Sequence, residues 1–123
     1  MNNYRILLTG CAGFIGFHLT AKLCRDNPSW TVWGVDNVNP YYDVKLKEDR
    51  LDLLEPLTNF EFRRVDLADR AAMEKIFEEL KPDVVINLAA QAGVRYSLEN
   101  PYAYIDSNIT GFLHILEGCR HHN

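Results

Sequence analysis

Several ingredients are scarce in this 123-residue chain. It has three cysteines, Cys11, Cys24 and Cys119, an odd number set far apart and without the short Cys/His intervals of a zinc site. A disulfide framework and a structural metal are thereby excluded, and the three read as reduced thiols. Cys11 lies within a glycine loop, but no histidine adjoins it to serve as a base, so it reads as a small loop residue and not as a nucleophile. Basic charge is also short: 13 Lys and Arg stand against 17 Asp and Glu, a formal net charge of -4. The cations are scattered or set beside acids, as in Lys45 to Arg50 with Glu48 and Asp49, so nucleic acid is not an expected partner. No long apolar run is present, and Met1 to Arg5 leads straight into a short strand-like segment. Neither a signal peptide nor a membrane span is expected, which leaves the cytoplasm as the expected location. Repeats, linkers and low-complexity stretches are missing too, which excludes fibrous and disordered classes.

What remains is the material of one globular core, 47% apolar and 24% charged, in a chain of single-domain length. Short β-rich apolar runs alternate with longer segments of helical period, the pattern of stacked βαβ units. The strands are expected at Tyr4 to Leu8, Thr31 to Val35, Phe60 to Val65 and Val84 to Leu88. The last is apolar throughout, as expected for a strand covered on both faces and the most central one present. The first helix carries Ala12, Ile15, Gly16, Leu19 and Leu23 at helical spacing and ends before Pro28. A second carries Leu46, Leu53, Leu54 and Leu57. A third is capped by Asp69 and buries Met73, Ile76, Phe77 and Leu80. Asn100 and Pro101 signal the start of a long fourth helix, one face of which is traced by Ile105, Ile109, Phe112, Leu113 and Leu116.

The run LLTGCAGFIG places Gly10, Gly13 and Gly16 where the first strand turns into a helix. Backbone amides and the positive helix end can there face a pyrophosphate, and a Cβ would block the turn, the phosphate approach or the helix-strand packing. Asp36 closes the second strand 20 residues after Gly16. A carboxylate at that place accepts hydrogen bonds from both adenosine ribose hydroxyls and repels a 2′-phosphate, so NAD is favoured over NADP, with Asn37 assisting. Asp66 closes the third strand on the same sheet edge, within reach of an adenine amino group.

Together, TGCAGFIG, the pair Asp36-Asn37, Asp66-Leu67 and LAAQAGVRYS resemble the extended short-chain dehydrogenase/reductase epimerases and dehydratases. The likeness runs along essentially the whole chain. It is strongest to the UDP-glucuronate 4-epimerase branch, through GFIGFHL, VDNVNPYYDVKLKEDRL and AAQAGVRYSLENPYAYIDSNITGFLHILE. The resemblance implies an α/β fold, a Rossmann-type parallel sheet of order 3-2-1-4 with helices on both faces, truncated relative to the family. It implies that Gly10, Gly13, Phe14, Ile15 and Gly16 cradle the pyrophosphate, that Asp36 and Asn37 hold the adenosine ribose, and that Asp66 and Leu67 flank adenine. Leu88, Ala89, Ala90 and Gln91 would line the path toward the nicotinamide, Asn108 would lie near the cofactor, and Arg95 would meet a phosphate or the uronate carboxylate of a UDP-sugar.

The activity implied is removal of hydride from C4 of the sugar to NAD, giving a 4-keto intermediate, and its return to the other face. In this family the base is a tyrosine with a lysine four places on, located after a fifth strand. Four strands are expected here, and the one pair at that spacing, Tyr41 and Lys45, follows the second strand at the adenosine end. The expectation for residues 1–123 is thus a partial NAD-binding domain that binds without turnover, lacking the Tyr-x-x-x-Lys segment and the C-terminal substrate domain. The alternatives are a portion of a nucleotide-sugar dehydratase or reductase, or a non-catalytic NAD-binding module. The open side of the fourth strand is expected to promote self-association.

Overall fold

A computed structural model describes residues 3–93 and 95–122. The alternating pattern is realised as β1 (Arg5–Thr9), α1 (Phe14–Asp26), β2 (Thr31–Asp36), α2 (Val44–Leu54), β3 (Phe60–Arg64), α3 (Arg70–Leu80) and β4 (Val84–Asn87). A short α4 (Tyr96–Glu99) follows. Then come α5 (Pro101–Tyr104), a π-helical stretch (Ile105–Thr110) and α6 (Gly111–His122). All strand pairs are parallel and the order is β3-β2-β1-β4, with Leu7 of β1 set between Trp33 and Val85.

Strand alternation divides the core into two layers. Leu7 and Val35 face α3 and α6, where they meet Met73, Ile76, Phe77, Leu80 and Ile115. Ile6, Leu8 and Val32 face the other way, onto Cys11 and Cys24. Each fully buried large apolar side chain contributes about 1.5–3 kcal/mol, so β1, buried on both faces from Ile6 to Thr9, anchors the sheet. The caps agree with the sequence reading. Asp69 accepts from the Ala72 amide at 3.1 Å and Asn100 from the Ala103 amide at 3.2 Å, with Pro101 in the first turn of α5.

Four expectations require correction. β4 is an edge strand, not the central one. Val84 is 40% exposed, and no strand among the described residues pairs with its outer side. On α1, Ile15 points to solvent, while Gly16, Thr20, Ala21 and Cys24 form the buried face. On α2, Leu46 and Leu53 are exposed, and the inward positions are Val44, Lys47, Arg50, Leu51 and Leu54. Leu57 lies beyond that helix and packs on the Ile6 layer.

The fourth correction concerns the long helix, which is broken into segments and turned the other way. Ile105, Ile109, Phe112, Leu113 and Leu116 are 45–59% exposed, and Gly111 and Ile115 are buried instead. The cause is close approach. A Cβ on Gly111 would stand 2.8 Å from Leu67 Cβ, and one on Gly118 would stand 2.4 Å from the Phe77 ring. Gly111, Ile115 and Gly118 lie at i, i+4 and i+7 on one face, where the two glycines let α6 settle on Leu67 and on Phe77 of α3 and leave the leucine-rich face outward.

Candidate functional site

The sheet order reverses direction between β1 and β4, and the carboxyl ends of all four strands open into one groove there, where ligands of such sheets bind. Its walls come from the loop after β1 (Gly10, Gly13), the end of β2 (Asp36, Asn37), the segment after β3 (Asp66, Leu67) and the segment after β4 (Leu88 to Ala92).

The glycine loop is shaped by backbone contacts. Gly10 has φ +76 and donates to the Val35 carbonyl at 2.8 Å. A Cβ there would stand 2.9 Å from the Leu88 and Ala89 backbone, so the first and fourth loops touch only because side-chain atoms are absent. Gly16 is tighter still, since its Cβ would fall 2.0 Å from the Gly10 carbonyl oxygen. Gly13 caps α1 with no side-chain hydrogen bond, and the first turn carries no acidic residue. With Gly13 lining the groove, the uncapped positive start of α1 adjoins it, an arrangement suited to an anion.

Asp36 is the hinge of the next loop. One carboxylate oxygen accepts from the Ala12 amide at 3.1 Å, tying the glycine loop to the end of β2, and the other accepts from the Val38 amide at 2.8 Å. Val38 has φ 54, an outlier conformation for a β-branched residue that costs about 1–3 kcal/mol. Asn37 and Asn39 repeat the turn, accepting from the Asn39 and Tyr41 amides. Across the groove, Thr9 is fully buried. Its hydroxyl donates to the Asn87 side chain and accepts from the Leu88 and Ala89 amides at 3.0 and 3.1 Å.

Two clasps hold the segment after β4. Asn108, in the π-helical stretch, accepts from the Gln91 amide at 2.8 Å and donates to the Gln91 carbonyl at 3.1 Å. The buried Gln91 accepts from Asn39 Nδ2 at 3.4 Å, bridging to the loop after β2. Beside it the Tyr41 ring packs on Tyr96 and Tyr42 at 4.6 and 4.7 Å between centroids. Tyr104 donates to the Gly93 carbonyl, and its phenol is held above the usual pKa by burial and the neighbouring phenols. Gly93 has φ +95 and no room for a Cβ beside the Tyr41 hydroxyl. Loops separated by about fifty residues thus close over the groove as one piece.

The structure brings Gly10, Gly13, Asp36, Asn37, Asp66, Leu67 and Leu88 to Gln91 together around this groove. Phe14 and Ile15 turn their side chains to solvent, leaving only their backbone near the loop, and Gly16 acts through packing. Asn108 grips Gln91 and does not line the groove, though its neighbour Ser107 does. Arg95 is exposed at the start of α4, outside the groove lining. Thr9, Asn39, the tyrosine clasp and Lys47 belong to the site without having been expected. Their contacts are non-local, and a Thr directly before the first glycine was the only local hint. Tyr41 lines the groove, but Lys45 is bound to Asp49 at 3.1 Å. Cys11 has no exposed surface, and burial together with the Asp36 charge pushes its thiol far above the ordinary range, the opposite of an activated nucleophile. No group of three or more metal-ligating side chains occurs among the described residues.

A parallel sheet with a glycine loop at a helix start and a carboxylate ending β2 defines a Rossmann-type nucleotide-binding unit. Residues 7–123 match the family described as GDP-mannose 4,6 dehydratase, and the chain belongs to that family. It is 55% identical over 119 residues to Protein CapI of Staphylococcus aureus, covering 97% of this chain and 35% of that protein. It is 50% identical over 111 residues to UDP-glucuronate 4-epimerase of Thermodesulfobacterium geofontis, covering 90% of this chain and 34% of that enzyme. The crystal structure of UDP-glucuronic acid 4-epimerase from Bacillus cereus, in complex with UDP-glucuronic acid and NAD, superposes with a TM-score of 0.85 at 36% identity. That match covers 95% of this chain and 36% of the enzyme. The chain thus spans about a third of the length of the relatives it matches. No helix among the described residues is long and apolar enough to cross a membrane.

Proposed function

We propose that the chain is the NAD-binding portion of a nucleotide-sugar 4-epimerase acting on UDP-glucuronate. On this reading residues 1–123 form one partial Rossmann domain, which binds NAD and by itself turns over no substrate. The observation that carries it is the junction of the uncapped start of α1, the Gly10-Gly13-Gly16 loop and Asp36 in a single groove. The residues fit the cofactor. Gly16 leaves the loop pressed against α1, and the α1 amides of Phe14, Ile15 and Gly16 remain for the pyrophosphate. A carboxylate offers about four acceptor positions, so Asp36 keeps lone pairs for the ribose hydroxyls beyond the two it gives to Ala12 and Val38. Its negative charge disfavours a 2′-phosphate, hence NAD over NADP.

Asn37 joins Asp36 at the ribose, Asp66 and Leu67 flank adenine, and Leu88 to Gln91 lead to the nicotinamide, with Asn108 positioning Gln91. When bound, NAD supplies hydride exchange with the sugar. The tyrosine base, its lysine and the substrate domain belong to the two thirds of the relatives' length that this chain does not cover. Arg95 turns to a phosphate or carboxylate of the UDP-sugar in such a full-length enzyme. The compartment we assign is the cytoplasm, in keeping with three free thiols and a net charge of -4. The open edge of β4 supports self-association, which light scattering would report as a mass rising with concentration. A constant monomer mass would refute that part.

The test is calorimetric titration with NAD and NADP of the chain, of Asp36→Ala and of Asp36→Asn. The expected result is NAD binding that the Ala variant loses and that NADP does not match. Folding of each variant is checked by circular dichroism, because Asp36 also braces Ala12. Binding of neither nucleotide by the unaltered chain would overturn the reading.

A further inference from the structure

We propose that Lys47 is the cation that meets the pyrophosphate of the bound dinucleotide, an assignment that rests on the NAD reading above. α2 carries three cations, and the structure sorts them. Lys45 is exposed and paired with Asp49 at 3.1 Å. Arg50 turns inward, donates to the Ala12 carbonyl of the glycine loop at 2.9 Å and stands 6.0 Å from the centre of the Phe14 ring. Lys47, three residues earlier and on the same helix face, also turns inward, but its ammonium has no carboxylate partner among the described residues. Its recorded contact is donation to the Asn39 carbonyl at 2.8 Å. That bond uses one of three ammonium donors. The side chain lines the groove together with Gly10, Gly13, Asp36 and Asp66.

Charge balance supplies the rest. Among the described residues lining the groove, Lys47 is the only Lys or Arg, against two carboxylates. A dinucleotide brings two further negative charges on its pyrophosphate. The α1 amides offer dipoles, not a full charge, so the site as it stands would hold four negative groups with no counter-cation except Lys47. Lys47 shares the inward face of α2 with Val44, Arg50, Leu51 and Leu54, and among the described residues its single bond to the Asn39 carbonyl leaves its charge uncompensated. A point-charge ammonium beside a helix start that receives phosphate is a recurrent arrangement in nucleotide sites. Arg50 ties α2, and with it the helix that carries Lys47, to the glycine loop.

The experiment compares the chain with Lys47→Gln and Lys47→Arg, titrated with adenosine, ADP and NAD at two salt concentrations, calorimetrically for ADP and NAD and by ligand-observed NMR for adenosine. Lys47→Gln is expected to bind ADP and NAD about tenfold or more weakly and adenosine as before. Lys47→Arg should recover most of the loss, and the salt dependence of NAD binding should flatten in the Gln variant. Matching circular dichroism and melting temperature establish that the variants are folded. Equal NAD affinity in Lys47→Gln would overturn the assignment alone. An equal loss for adenosine would also overturn it, by showing that Lys47 only steadies the Asn39 carbonyl. If the unaltered chain binds neither ADP nor NAD, this assignment and the NAD reading fall together.

Discussion

Replacing Gly16 by alanine tests the glycine loop where it is least able to yield. The added Cβ would lie 2.0 Å from the Gly10 carbonyl oxygen, 2.8 Å from its carbon and 3.2 Å from Cys11 Cα. All three are backbone atoms, so no rotamer change relieves the contact. Reaching ordinary van der Waals distance from the oxygen requires a shift of about 1.4 Å between helix and loop. That shift strains the Gly10 amide bond to Val35, 2.8 Å long, and the Gly13 amide bond to Gly10, 3.1 Å long. Overpacking of this kind costs about 1–3 kcal/mol or more, offset by about 1 kcal/mol from the better helix propensity of alanine. Taken at the upper end of that range, because every atom met is backbone, a net loss of about 2 kcal/mol in a domain of this size lowers Tm by roughly 6–12 °C. Gly13→Ala serves as the control, since its Cβ meets Gly10 O at 3.3 Å and needs only a few tenths of an ångström. Thermal melts by circular dichroism should rank unaltered chain, Gly13→Ala and Gly16→Ala in falling order, and NAD affinity should follow for Gly16→Ala. A Gly16→Ala variant as stable as the parent would refute the packing argument.

Thr9→Val keeps the shape of a fully buried side chain and removes the hydroxyl that receives the Leu88 and Ala89 amides. The expected cost is about 1–3 kcal/mol, with faster hydrogen exchange above all at Ala89, since Leu88 also donates to the Thr9 carbonyl, and unchanged exchange at Ala89 would refute the role. The thiols should react in the order Cys119, Cys24, Cys11. Cys11 and Cys24 are buried and Cys119 only partly so. Burial pushes Cys24 up to about 11 and Cys11 higher, so at pH 8 the reactive thiolate is a minor species at both, and raising the pH increases it. Mass spectrometry after timed alkylation reads the order, and early labelling of Cys11 would show that the glycine loop opens.

The sequence pointed to the four strands within about a residue because short apolar runs bounded by Gly, Pro and Asp have few alternatives in a βαβ chain. Helix starts at Asp69 and Asn100 were legible for the same local reason. Sidedness was not. On α6 the leucines are the conspicuous residues, yet Gly111 and Gly118 decide the packing, since close approach rewards the missing Cβ more than the exposed leucines reward burial. On α2 the leucines again misled, because two inward cations took positions that hydrophobic counting assigns to solvent. In the site, the glycines and Asp36 were legible from spacing along one βαβ unit. Thr9 with Leu88, Asn39 with Gln91 and Tyr41 with Tyr96 were not, because each pair joins loops more than fifty residues apart and leaves no local pattern.

The groove is unevenly built, and this sets a last expectation. The end we propose for adenosine is walled by three loops, those after β1, β2 and β3, with Asp36, Asn37, Asp66 and Leu67 around it. Its other end is walled by the segment after β4, with Tyr41 and Ser107 beside it, and among the described residues β4 is an edge strand whose Val84 and Leu88 are partly exposed. A nicotinamide ring entering here would bury one face and leave the other to water, gaining little apolar contact while still losing rotational freedom. ADP and NAD should therefore bind this chain with affinities within a few-fold of each other, although NAD carries the larger surface. NAD binding more than about tenfold tighter than ADP, about 1.4 kcal/mol, would show that the β4 segment grips nicotinamide unaided and that the site is complete without a further strand.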